Sequence, residues 1–584
     1  MSQSVDVDTQ QNILNAQTLR GRPPHSRLVP YRNVRHLLDN RAMESPDKVF
    51  LIHYDKDGNR DELTYAAFNA RVNQTANLLL ALGVQRGDRV STIAYNHTDT
   101  VITYFACWKI GAMVAPQNVA EDDQRIAYIL RNSEAVIALV RSEYLERAEQ
   151  IIHGTEEGLG VSNIRQIIQV GGEPDAAYPH YQSLLERHST SLDANDDTTL
   201  DDESLLVYTS GTTGPPKGVV LTQYNMLVDA YGISSWQGIT GNQRMMAVLP
   251  IHHVNGTIVT LVTPMLVGAS TVLNRAYSSS HFWERIAKEK VNVVSVVPTL
   301  LQFSCEFADE QALKGESIFG TDLDREDLSH FRHLICGAGT LAVQLARRFE
   351  NQFGFPILHG YGLSETTCYS CFLPIDLSWE QHQHWMQDYG YPSIGCPISP
   401  NEMAIFDPTG SGQELPAGER GEICIRGHNV MKYYYQRPDS NRETFKFSWF
   451  RSGDEGFYQE DAQGRRFFFI TGRIKELINR GGVKFSPFDI EEVLLEIPGI
   501  KVGLAVAFEN DYYGEEVGAY VVLEDNATLN AEAILDYCRE RMTFEKSPKV
   551  VIFGDEIPVT TTGKYQRLKL RDRFSAWKTT QFRK

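Results

Sequence analysis

The sequence predicts an α/β fold: a large N-terminal domain of α/β layers with a β-rich subdomain, then a small α+β C-terminal domain. Three observations support this prediction. Apolar strand-like runs alternate with segments of helical period between residues 48 and 336. From Glu402 short β-like runs with turn signals replace that alternation, and from Gly472 a separate mixed pattern begins. At 584 residues the chain is also too long for a single hydrophobic core.

The first elements follow from local patterns. Residues 1–45 are polar and rich in arginine, so we expect an extended or partly disordered lead-in. The N-terminal domain is then expected to start at residue 46. Strands alternating with helices indicate a largely parallel sheet. The predicted strands are 49–52, 89–93 and 135–140, the predicted helices are 65–82 and 98–111, and the alternation resumes at 245–250, 270–273, 282–288, 291–297 and 332–336.

The later elements divide between a β-rich subdomain at about 400–472 and a C-terminal domain at 473–584. The subdomain carries β-like runs at 403–406, 421–426 and 465–471. The C-terminal domain has about 110 residues, an ordinary domain size. Its predicted helices are 489–496 and 531–542, and its predicted strands are 501–508 and 518–523.

Composition excludes several classes of protein. A content of 42% hydrophobic and 22% charged residues is that of an ordinary globular protein. The formal net charge of -18 argues against nucleic acid as a partner. Eight scattered cysteines predict reduced thiols in a cytosol-like compartment, and the lone pair Cys368/Cys371 is weak evidence for a metal or redox site.

The lack of recognisable targeting signals in the sequence supports the same cytosol-like compartment. The N-terminus lacks a basic and apolar leader, and the apolar region 257–273 is short and interrupted by Pro264 and Gly268. We therefore expect a cytoplasmic protein without a transmembrane segment. Peripheral membrane contact through the basic residues after Lys564 stays open. The acidic stretch 192–203 is expected to be a solvated connector rather than a metal site.

A glycine-rich loop follows a buried apolar run at 205–208. Glycines let backbone N–H groups approach an anion, hydroxyls add donors, and a lysine adds a cation, so the loop predicts a polyphosphate cradle. It is not the usual nucleotide loop, because Pro216 and Gly218 break the G-x-x-x-x-G-K-[ST] pattern. The predicted ligands are Thr209, Ser210, Gly211, Thr212, Thr213, Gly214 and Lys217.

Three further stretches carry suitable chemistry. In His359-Gly360-Tyr361-Gly362-Leu363-Ser364-Glu365-Thr366-Thr367, the tyrosine offers a face to a flat base and Glu365 offers a hard oxygen to Mg²⁺. The carboxylate of Asp454 can accept two hydrogen bonds from a vicinal diol. Thr560-Thr561-Thr562-Gly563-Lys564 lies near the C-terminus and, by spacing alone, would be a surface turn.

Five motifs in this order, at 209–218, 359–367, 450–458, 471–487 and 560–566, resemble those of the adenylate-forming family. That family comprises acyl- and aryl-CoA ligases, luciferases and peptide-synthetase adenylation domains, and the chain is most similar to an acyl-CoA synthetase. The resemblance covers nearly the whole chain. It implies a mobile C-terminal domain that closes over the N-terminal one.

The resemblance also implies roles for individual residues. Lys217 would contact the β- and γ-phosphates, Glu365 would hold Mg²⁺, and Lys564 would bridge the substrate carboxylate and the α-phosphate. Arg473 would lie near the ribose and the α-phosphate, Lys475 would be the hinge, and a loop at Gly481 and Gly482 would line the thiol side. The remaining ATP- and AMP-binding positions are Gly337, Ala338, Gly339, His359, Gly360, Tyr361, Gly362, Thr366 and Asp454.

The acid pocket is predicted from fewer signals. His253 stands where the family places an aromatic residue or histidine that gates the carboxylate, so it joins Lys564, Lys217 and Glu365 as a catalytic candidate. Val254, Thr257 and Ile258 predict a mainly apolar pocket. No aspartate that could meet an amino group stands nearby. An aliphatic or fatty acid is favoured, and an aryl acid is the alternative.

Taken together, the resemblance predicts a magnesium-dependent acid–thiol ligase. It would convert a carboxylic acid and ATP into an acyl-adenylate and pyrophosphate, then transfer the acyl group to coenzyme A. A carrier protein is the alternative acceptor. A light-emitting oxygenase and an inactive nucleotide-binding protein are alternatives from other classes. The protein is expected to be a monomer or homodimer.

Overall fold

The computed structural model describes residues 6–209, 215–320, 322–524, 526–559 and 565–583. Its α-helices alternate with strands over most of the chain. The helices are α1 (Val7–Ala16), α2 (Val34–Glu44), α3 (Tyr65–Ala81), α4 (Thr98–Lys109), α5 (Asp123–Asn132), α6 (Leu145–His153), α7 (Tyr181–Leu185), α8 (Gln223–Gln237), α9 (Thr263–Val267), α10 (Ser279–Lys288), α11 (Pro298–Lys314), α12 (Val343–Phe353), α13 (Trp379–Gln387), α14 (Pro438–Thr444), α15 (Pro487–Leu495) and α16 (Ala531–Arg541).

The strands of the described residues fall into four sheets. They are β1 (Val49–Tyr54), β2 (Arg60–Thr64), β3 (Arg89–Ile93), β4 (Met113–Gln117), β5 (Ile137–Arg141), β6 (Gln166–Val170), β7 (Glu203–Tyr208), β8 (Gly218–Thr222), β9 (Arg244–Ala247), β10 (Ser270–Asn274), β11 (Val293–Val296), β12 (His333–Cys336), β13 (Ile357–Tyr361), β14 (Cys371–Phe372), β15 (Cys396–Pro397), β16 (Asn401–Phe406), β17 (Gly421–Gly427), β18 (Tyr433–Tyr434), β19 (Phe450–Glu460), β20 (Arg466–Arg473), β21 (Ile478–Arg480), β22 (Val483–Phe485), β23 (Ile500–Asn510), β24 (Gly514–Leu523) and β25 (Val550–Phe553).

Two large sheets form the N-terminal part of the fold. One has the order β15-β14-β13-β12-β11-β9-β10-β1-β2, and the run from β13 to β1 is parallel. The other has the order β18-β8-β7-β4-β3-β5-β6, with β7 to β6 parallel. Apart from the exposed edge strand β2, most of their strands are buried on both faces, as in helix-covered parallel sheets. This confirms the predicted α/β layers.

The two smaller sheets match the predicted change of pattern. The antiparallel sheet β16-β17-β19-β20 is the β-rich part, and the stacked rings of Trp385 and Phe467, with centroids 3.8 Å apart, fasten it to the large domain. The last sheet, β22-β21-β24-β23 with β25 beside β24, is covered by α15 and α16. The α+β C-terminal domain is thus confirmed as well.

The lead-in differs from the expectation of an extended segment. It contains α1 and α2, because Asp6 and Asn33 accept hydrogen bonds at their first turns and apolar residues such as Ile13 face the core. It also anchors the acidic stretch 192–203: Arg27 pairs with Asp201 at 2.7 Å. That stretch is therefore a tethered connector rather than a freely solvated one.

The apolar stretch after the two histidines forms an unexpected element. Asn255–Val262 is a π-helix that continues into α9. Such wide turns are rare and are frequently found at functional sites. Among the described residues, no helix has the length and apolarity needed to cross a bilayer.

Candidate active site

Three predicted residues meet where β13, β19 and β20 come together. The Tyr361 hydroxyl donates to Oδ2 of Asp454 at 2.6 Å, and Nε of Arg473 lies 3.2 Å from Oδ1. The β19–β20 register places Asp454 directly opposite Arg473. Burial and the adjacent carboxylate hold the Tyr361 pKa well above its usual value, so the phenol stays a donor. The nearby Asp454 carboxylate likewise raises the pKa of Arg473.

Asp454 is the most deeply buried member of this cluster, with 2% of its surface exposed. Its Oδ1 accepts no hydrogen bond within the described part of the chain, although Arg473 supplies charge nearby. A buried carboxylate oxygen of this kind costs free energy unless a donor reaches it. The geometry therefore suits a ligand that carries hydroxyl donors.

Glu365 lies one turn after β13, in the short 3₁₀-helix Ser364–Thr366. The Tyr434 hydroxyl donates to its Oε1 at 2.7 Å, and the Met431 N–H donates to its carbonyl at 2.7 Å. Sequence reasoning missed Tyr434, because nothing in its residue type distinguishes it from Tyr433 and Tyr435. Met431, in the loop before β18, thus holds the backbone of Glu365, and Tyr434, in β18 itself, holds its side chain.

The backbone after Glu365 is strained. Thr367 is fully buried and has φ 66° and ψ -59°, a conformation in which a β-branched residue is a genuine outlier. Its Oγ1 donates to the Asn429 carbonyl at 2.6 Å. Beneath it the Asn429 amide donates to Asp229 at 3.0 Å, and burial raises the pKa of that carboxyl well above its usual value.

Lys217 lies beside Glu365. Its Nζ is 4.9 Å from the Tyr434 ring centroid. Burial lowers the pKa of Lys217, the Glu365 charge opposes that shift, and the Lys475 charge adds to it. The Thr209 N–H donates to the Lys217 carbonyl at 3.0 Å. The other predicted loop residues, Ser210, Gly211, Thr212, Thr213 and Gly214, lie outside the described residues.

Several predicted nucleotide-binding residues also make contacts within the protein. His359 is buried and donates from Nδ1 to the Ser393 carbonyl at 3.0 Å, and burial lowers its pKa to about 4. The hydroxyl of Thr366, also buried, accepts from the Leu363 N–H at 3.1 Å. A side chain at Gly360 would collide with the Phe372 ring, so that glycine is required by packing. Gly362 is crowded in the same way by the Cys368 carbonyl.

The turn at Gly337, Ala338 and Gly339 follows β12. Ala338 is exposed and has φ 63°, which identifies the apex of the turn. A Cβ on Gly337 would lie 2.6 Å from the Tyr369 hydroxyl. The turn therefore lies directly against that tyrosine, at the end of β12 where α/β proteins bind ligands.

The acid-pocket candidates surround the start of the π-helix. His252 and His253 lie in a turn, and the centroids of their rings are 4.4 Å apart. Burial and the neighbouring His253 charge lower the His252 pKa well below its usual value. The predicted lining residues are all buried: Val254, Thr257 and Ile258.

Polar residues that sequence reasoning missed lie among these apolar ones. Asn255 donates from Nδ2 to the Tyr369 hydroxyl at 3.1 Å, and Ser295 donates to its Oδ1 at 2.7 Å. All three side chains are buried. The expectation of a mainly apolar pocket therefore omits a hydrogen-bonded polar cluster next to the Gly337 turn.

Lys564 lies outside the described residues, but both flanks of residues 560–564 are defined. Val559 pairs with Tyr565, and Arg567 bonds to Glu491 at 2.7 Å and to Glu476 at 2.5 Å. Glu476 belongs to the 3₁₀-helix Ile474–Glu476, which contains the predicted hinge residue Lys475. The C-terminal segment is thus attached to the hinge region.

The predicted loop at Gly481 and Gly482 is the exposed turn between β21 and β22, with φ of 58° and 92°. Two ion pairs between the C-terminal domain and the rest of the chain involve other residues. Asp489 is 3.2 Å from Arg420, and Lys501 is 3.1 Å from Glu306. These pairs carry no sequence signal, because each joins residues far apart in the chain.

Comparison with known proteins identifies the family. Residues 38–435 match the AMP-binding enzyme model, and residues 489–564 match the AMP-binding enzyme C-terminal domain. The probable CoA ligase CCL9 of Humulus lupulus is 32% identical over 88% of this chain and 92% of its own. The oxalate–CoA ligase of Arabidopsis thaliana is 30% identical over 91% and 96%.

Solved structures agree with the sequence comparison. ATP-bound MatB from Rhodopseudomonas palustris superposes with a TM-score of 0.78 at 25% identity, covering 93% of this chain and 99% of that one. An anthranilate CoA ligase, AuaEII, has the same fold, with a TM-score of 0.79, 24% identity, and coverage of 94% and 98%. The chain therefore belongs to the AMP-binding enzyme family, the adenylate-forming superfamily, and is an enzyme of the acyl-CoA synthetase type.

Proposed function

We propose that the protein is a magnesium-dependent acid–coenzyme A ligase that works through an acyl-adenylate. A carboxylic acid oxygen attacks the α-phosphorus of ATP and pyrophosphate leaves; the thiol of coenzyme A then attacks the acyl carbon and AMP leaves. The observation that carries the proposal is the Tyr361–Asp454–Arg473 cluster beside Glu365. It combines an aromatic hydroxyl, a buried carboxylate with a free acceptor oxygen, and a cation.

In this proposal the described residues bind and orient ATP. Asp454 accepts the ribose hydroxyls through Oδ1, and Tyr361 fixes the carboxylate from the other side. Arg473 and Lys217 offset the negative charge of the phosphates, which would otherwise repel an approaching carboxylate. Thr209 continues into the glycine-rich loop, which we propose as the polyphosphate cradle.

Glu365 is the proposed protein ligand of Mg²⁺. A single carboxylate fits that ion, which commonly binds through one or two carboxylates together with substrate phosphates and water. Among the described residues, no group of three or more His, Cys, Asp or Glu side chains could hold a metal by itself. When bound with ATP, Mg²⁺ would neutralise phosphate charge.

The second half-reaction needs a different set of residues. We propose that Lys564 orients the acid carboxylate and the α-phosphate, and that rotation at Lys475 exchanges it for the loop at Gly481 and Gly482. The proposed domain division is a lead-in at 1–45, an N-terminal domain at 46–472 and the mobile domain at 473–584. The attachment of Arg567 to the hinge segment supports this, because it couples the C-terminal segment to rotation there.

The acid is the least constrained part of the proposal. We keep an aliphatic acid as the favoured substrate, gated by His253 and lined by Val254, Thr257 and Ile258. Relatives named for oxalate and sulfoacetate, together with a feruloyl-CoA synthase, indicate that this fold accepts very different acids. Coenzyme A is the proposed acceptor because the relatives are CoA ligases, and a carrier protein is the alternative. A cytoplasmic location and a monomeric or homodimeric state complete the proposal.

Pyrophosphate release across a panel of short, long, hydroxylated and aromatic acids tests the adenylation step. Chelation of Mg²⁺ should stop release, and added Mg²⁺ should restore it. Formation of a thioester from free coenzyme A, compared with a phosphopantetheinylated carrier, identifies the acceptor. Lys564→Ala should abolish adenylation but spare thioester formation from preformed acyl-adenylate. Equal loss of both steps would contradict the proposed role of Lys564, and absence of pyrophosphate with every acid would contradict the function.

A further inference from the structure

We propose that the N-terminal segment 6–22, which we call the N-terminal clamp, positions two of the nucleotide-binding groups from behind. It contacts the loop behind Glu365 and the turn that leads into the strand of Asp454. The inference rests on the proposed function, because it assigns Glu365 to Mg²⁺ and Asp454 to the ribose. Its residues contact neither ligand, so they are positioning residues.

The first contact is with the turn before β19. Asn15 donates from Nδ2 to Oγ of Ser448 at 3.0 Å, and that hydroxyl donates to Oδ1 of Asn12 at 3.0 Å. Phe447 and Ser448 have φ of 67° and 63°, and neither is glycine. Two successive left-handed residues of this type persist only where surrounding contacts hold them. The two asparagines of α1 supply such contacts.

This turn controls the start of a functional strand. β19 begins at Phe450 and carries Asp454, whose neighbour across the sheet is Arg473. If the turn relaxed, the first residues of β19 would shift relative to β20. The Asp454 carboxylate would then move relative to the Tyr361 hydroxyl. The clamp thus acts on the proposed ribose site through the backbone.

The second contact is with the loop between β17 and β18. Gln17 donates from Nε2 to the Met431 carbonyl at 2.8 Å, and the N–H of the same Met431 donates to the Glu365 carbonyl at 2.7 Å. A carbonyl can only accept, so the amide group of Gln17 must present its nitrogen here. One residue therefore connects the clamp to the proposed Mg²⁺ ligand.

A third bond holds the same loop. His428 donates from Nε2 to the Arg22 carbonyl at 2.9 Å, and its Nδ1 accepts from the Tyr224 hydroxyl at 2.6 Å. Carbonyl and hydroxyl fix the tautomer, because only an N–H on Nε2 satisfies both. His428 thus fastens the loop to the clamp on one side and to α8 on the other.

The clamp is held by these polar contacts more than by a large apolar face. In α1 only Thr9, Ile13 and Ala16 are buried. Val7 is 79% exposed and Leu14 is 43% exposed. Specific hydrogen bonds to two loops, rather than bulk packing, therefore define how α1 sits. Their loss should change the nucleotide site more than it changes the folding of the chain.

Titration calorimetry of the full-length protein tests this without any knowledge of the acid. The probes are ATP with Mg²⁺, ATP with EDTA, and AMP. Gln17→Glu removes the donor, and we expect the Kd for ATP with Mg²⁺ to rise about three- to tenfold while the Kd for AMP stays unchanged. Gln17→Lys, which keeps an N–H donor, should restore the affinity.

The double variant Asn12→Ala/Asn15→Ala should behave differently. It should disturb the proposed ribose site, which AMP and ATP share. We therefore expect the affinity for AMP, and for ATP with and without Mg²⁺, to fall about three- to tenfold. Adding Ser448→Gly should recover part of the loss, because glycine adopts φ near 63° without help. Val7→Ala, at an exposed position of the same helix, is the matched control and should leave every affinity unchanged.

The outcomes separate the clamp from the proposed function. If the parent binds ATP but the variants keep parental affinities, or lose affinity for all probes alike without rescue, the clamp is wrong and the function stands. If the parent binds neither ATP nor AMP, the proposed function itself fails, and the clamp fails with it. A lower melting temperature with unchanged affinities would assign α1 a purely structural role.

Discussion

The strained backbone at Thr367 gives a quantitative prediction. A side chain held in this conformation costs about 1–3 kcal/mol, whereas glycine adopts it freely but loses roughly 0.5–1 kcal/mol to chain entropy relative to alanine. At an ordinary position Ala is therefore more stable than Gly. At Thr367, with φ 66° and ψ -59°, we expect the order to reverse, with Thr367→Gly more stable than Thr367→Ala by about 0.5–2 kcal/mol.

Both variants lose the hydrogen bond from the Thr367 hydroxyl to the Asn429 carbonyl. The difference in stability between them therefore reports the effect of the backbone conformation alone. For a domain of roughly 400 residues, 1 kcal/mol corresponds to about 1 °C in melting temperature. Thermal unfolding followed by tryptophan fluorescence should place the glycine variant about 0.5–2 °C above the alanine variant. Thr366→Gly and Thr366→Ala, at a helical position, should show the ordinary order. An alanine variant at 367 that melts above the glycine variant would refute the reasoning.

The strain should also matter for binding, because Thr367 follows Glu365 by two residues. Relaxing it in Thr367→Gly lets the short helix that carries Glu365 adopt other orientations. We expect weaker binding of ATP with Mg²⁺ in the more stable variant. A glycine variant that is both more stable and binds equally well would mean that the strain has no role in nucleotide binding.

Three further changes have defined outcomes. Tyr361→Phe removes the donor to Asp454, and calorimetry should show an AMP affinity lower by about tenfold; an unchanged affinity would contradict the ribose assignment. Burial lowers the His333 pKa to about 3, so the folded state excludes a proton that the unfolded state binds below pH 6.5. Stability should therefore fall by up to about 1.4 kcal/mol per pH unit as the pH drops from 6.5 towards 3. His333→Leu should remove the contribution of this histidine, so stability in urea unfolding curves should fall less steeply with decreasing pH than in the parent; an equal slope would show that His333 does not contribute. Asp489→Asn breaks the ion pairs with Arg420 and Lys546, and limited proteolysis at the hinge should accelerate about fivefold in low salt, with no change in high salt; equal acceleration in both would exclude an ionic cause.

Much of the fold could be predicted because its signals are local. The strand at 89–93 and the helix at 65–82 follow from apolar periodicity within a few residues, and the structure has them at Arg89–Ile93 and Tyr65–Ala81. The lead-in could not be assigned in this way. Its few apolar residues, such as Ile13, gain meaning only from the distant core that they cover.

The candidate site likewise contains residues that the sequence predicted and residues that it did not. Tyr361, Asp454 and Arg473 were predicted from motifs, and the structure brings them together. Asn255 was not assigned to the pocket, because its partners Ser295 and Tyr369 come from other elements and the π-helix that presents it has no sequence signature. Contacts between residues far apart in the chain depend on tertiary packing, which local patterns do not report.

The eight cysteines, all buried and unpaired, offer an experimental opportunity. Burial raises the thiol pKa of Cys538 to about 11 and of Cys396 to about 12, so few thiolates are present at neutral pH to react with a maleimide. The native cysteines should therefore react little with a maleimide fluorophore, so that cysteines introduced on the surface are labelled selectively. Two cysteines introduced at exposed positions, one before and one after the Ile474–Glu476 segment, would let energy transfer test the proposed rotation of the C-terminal domain.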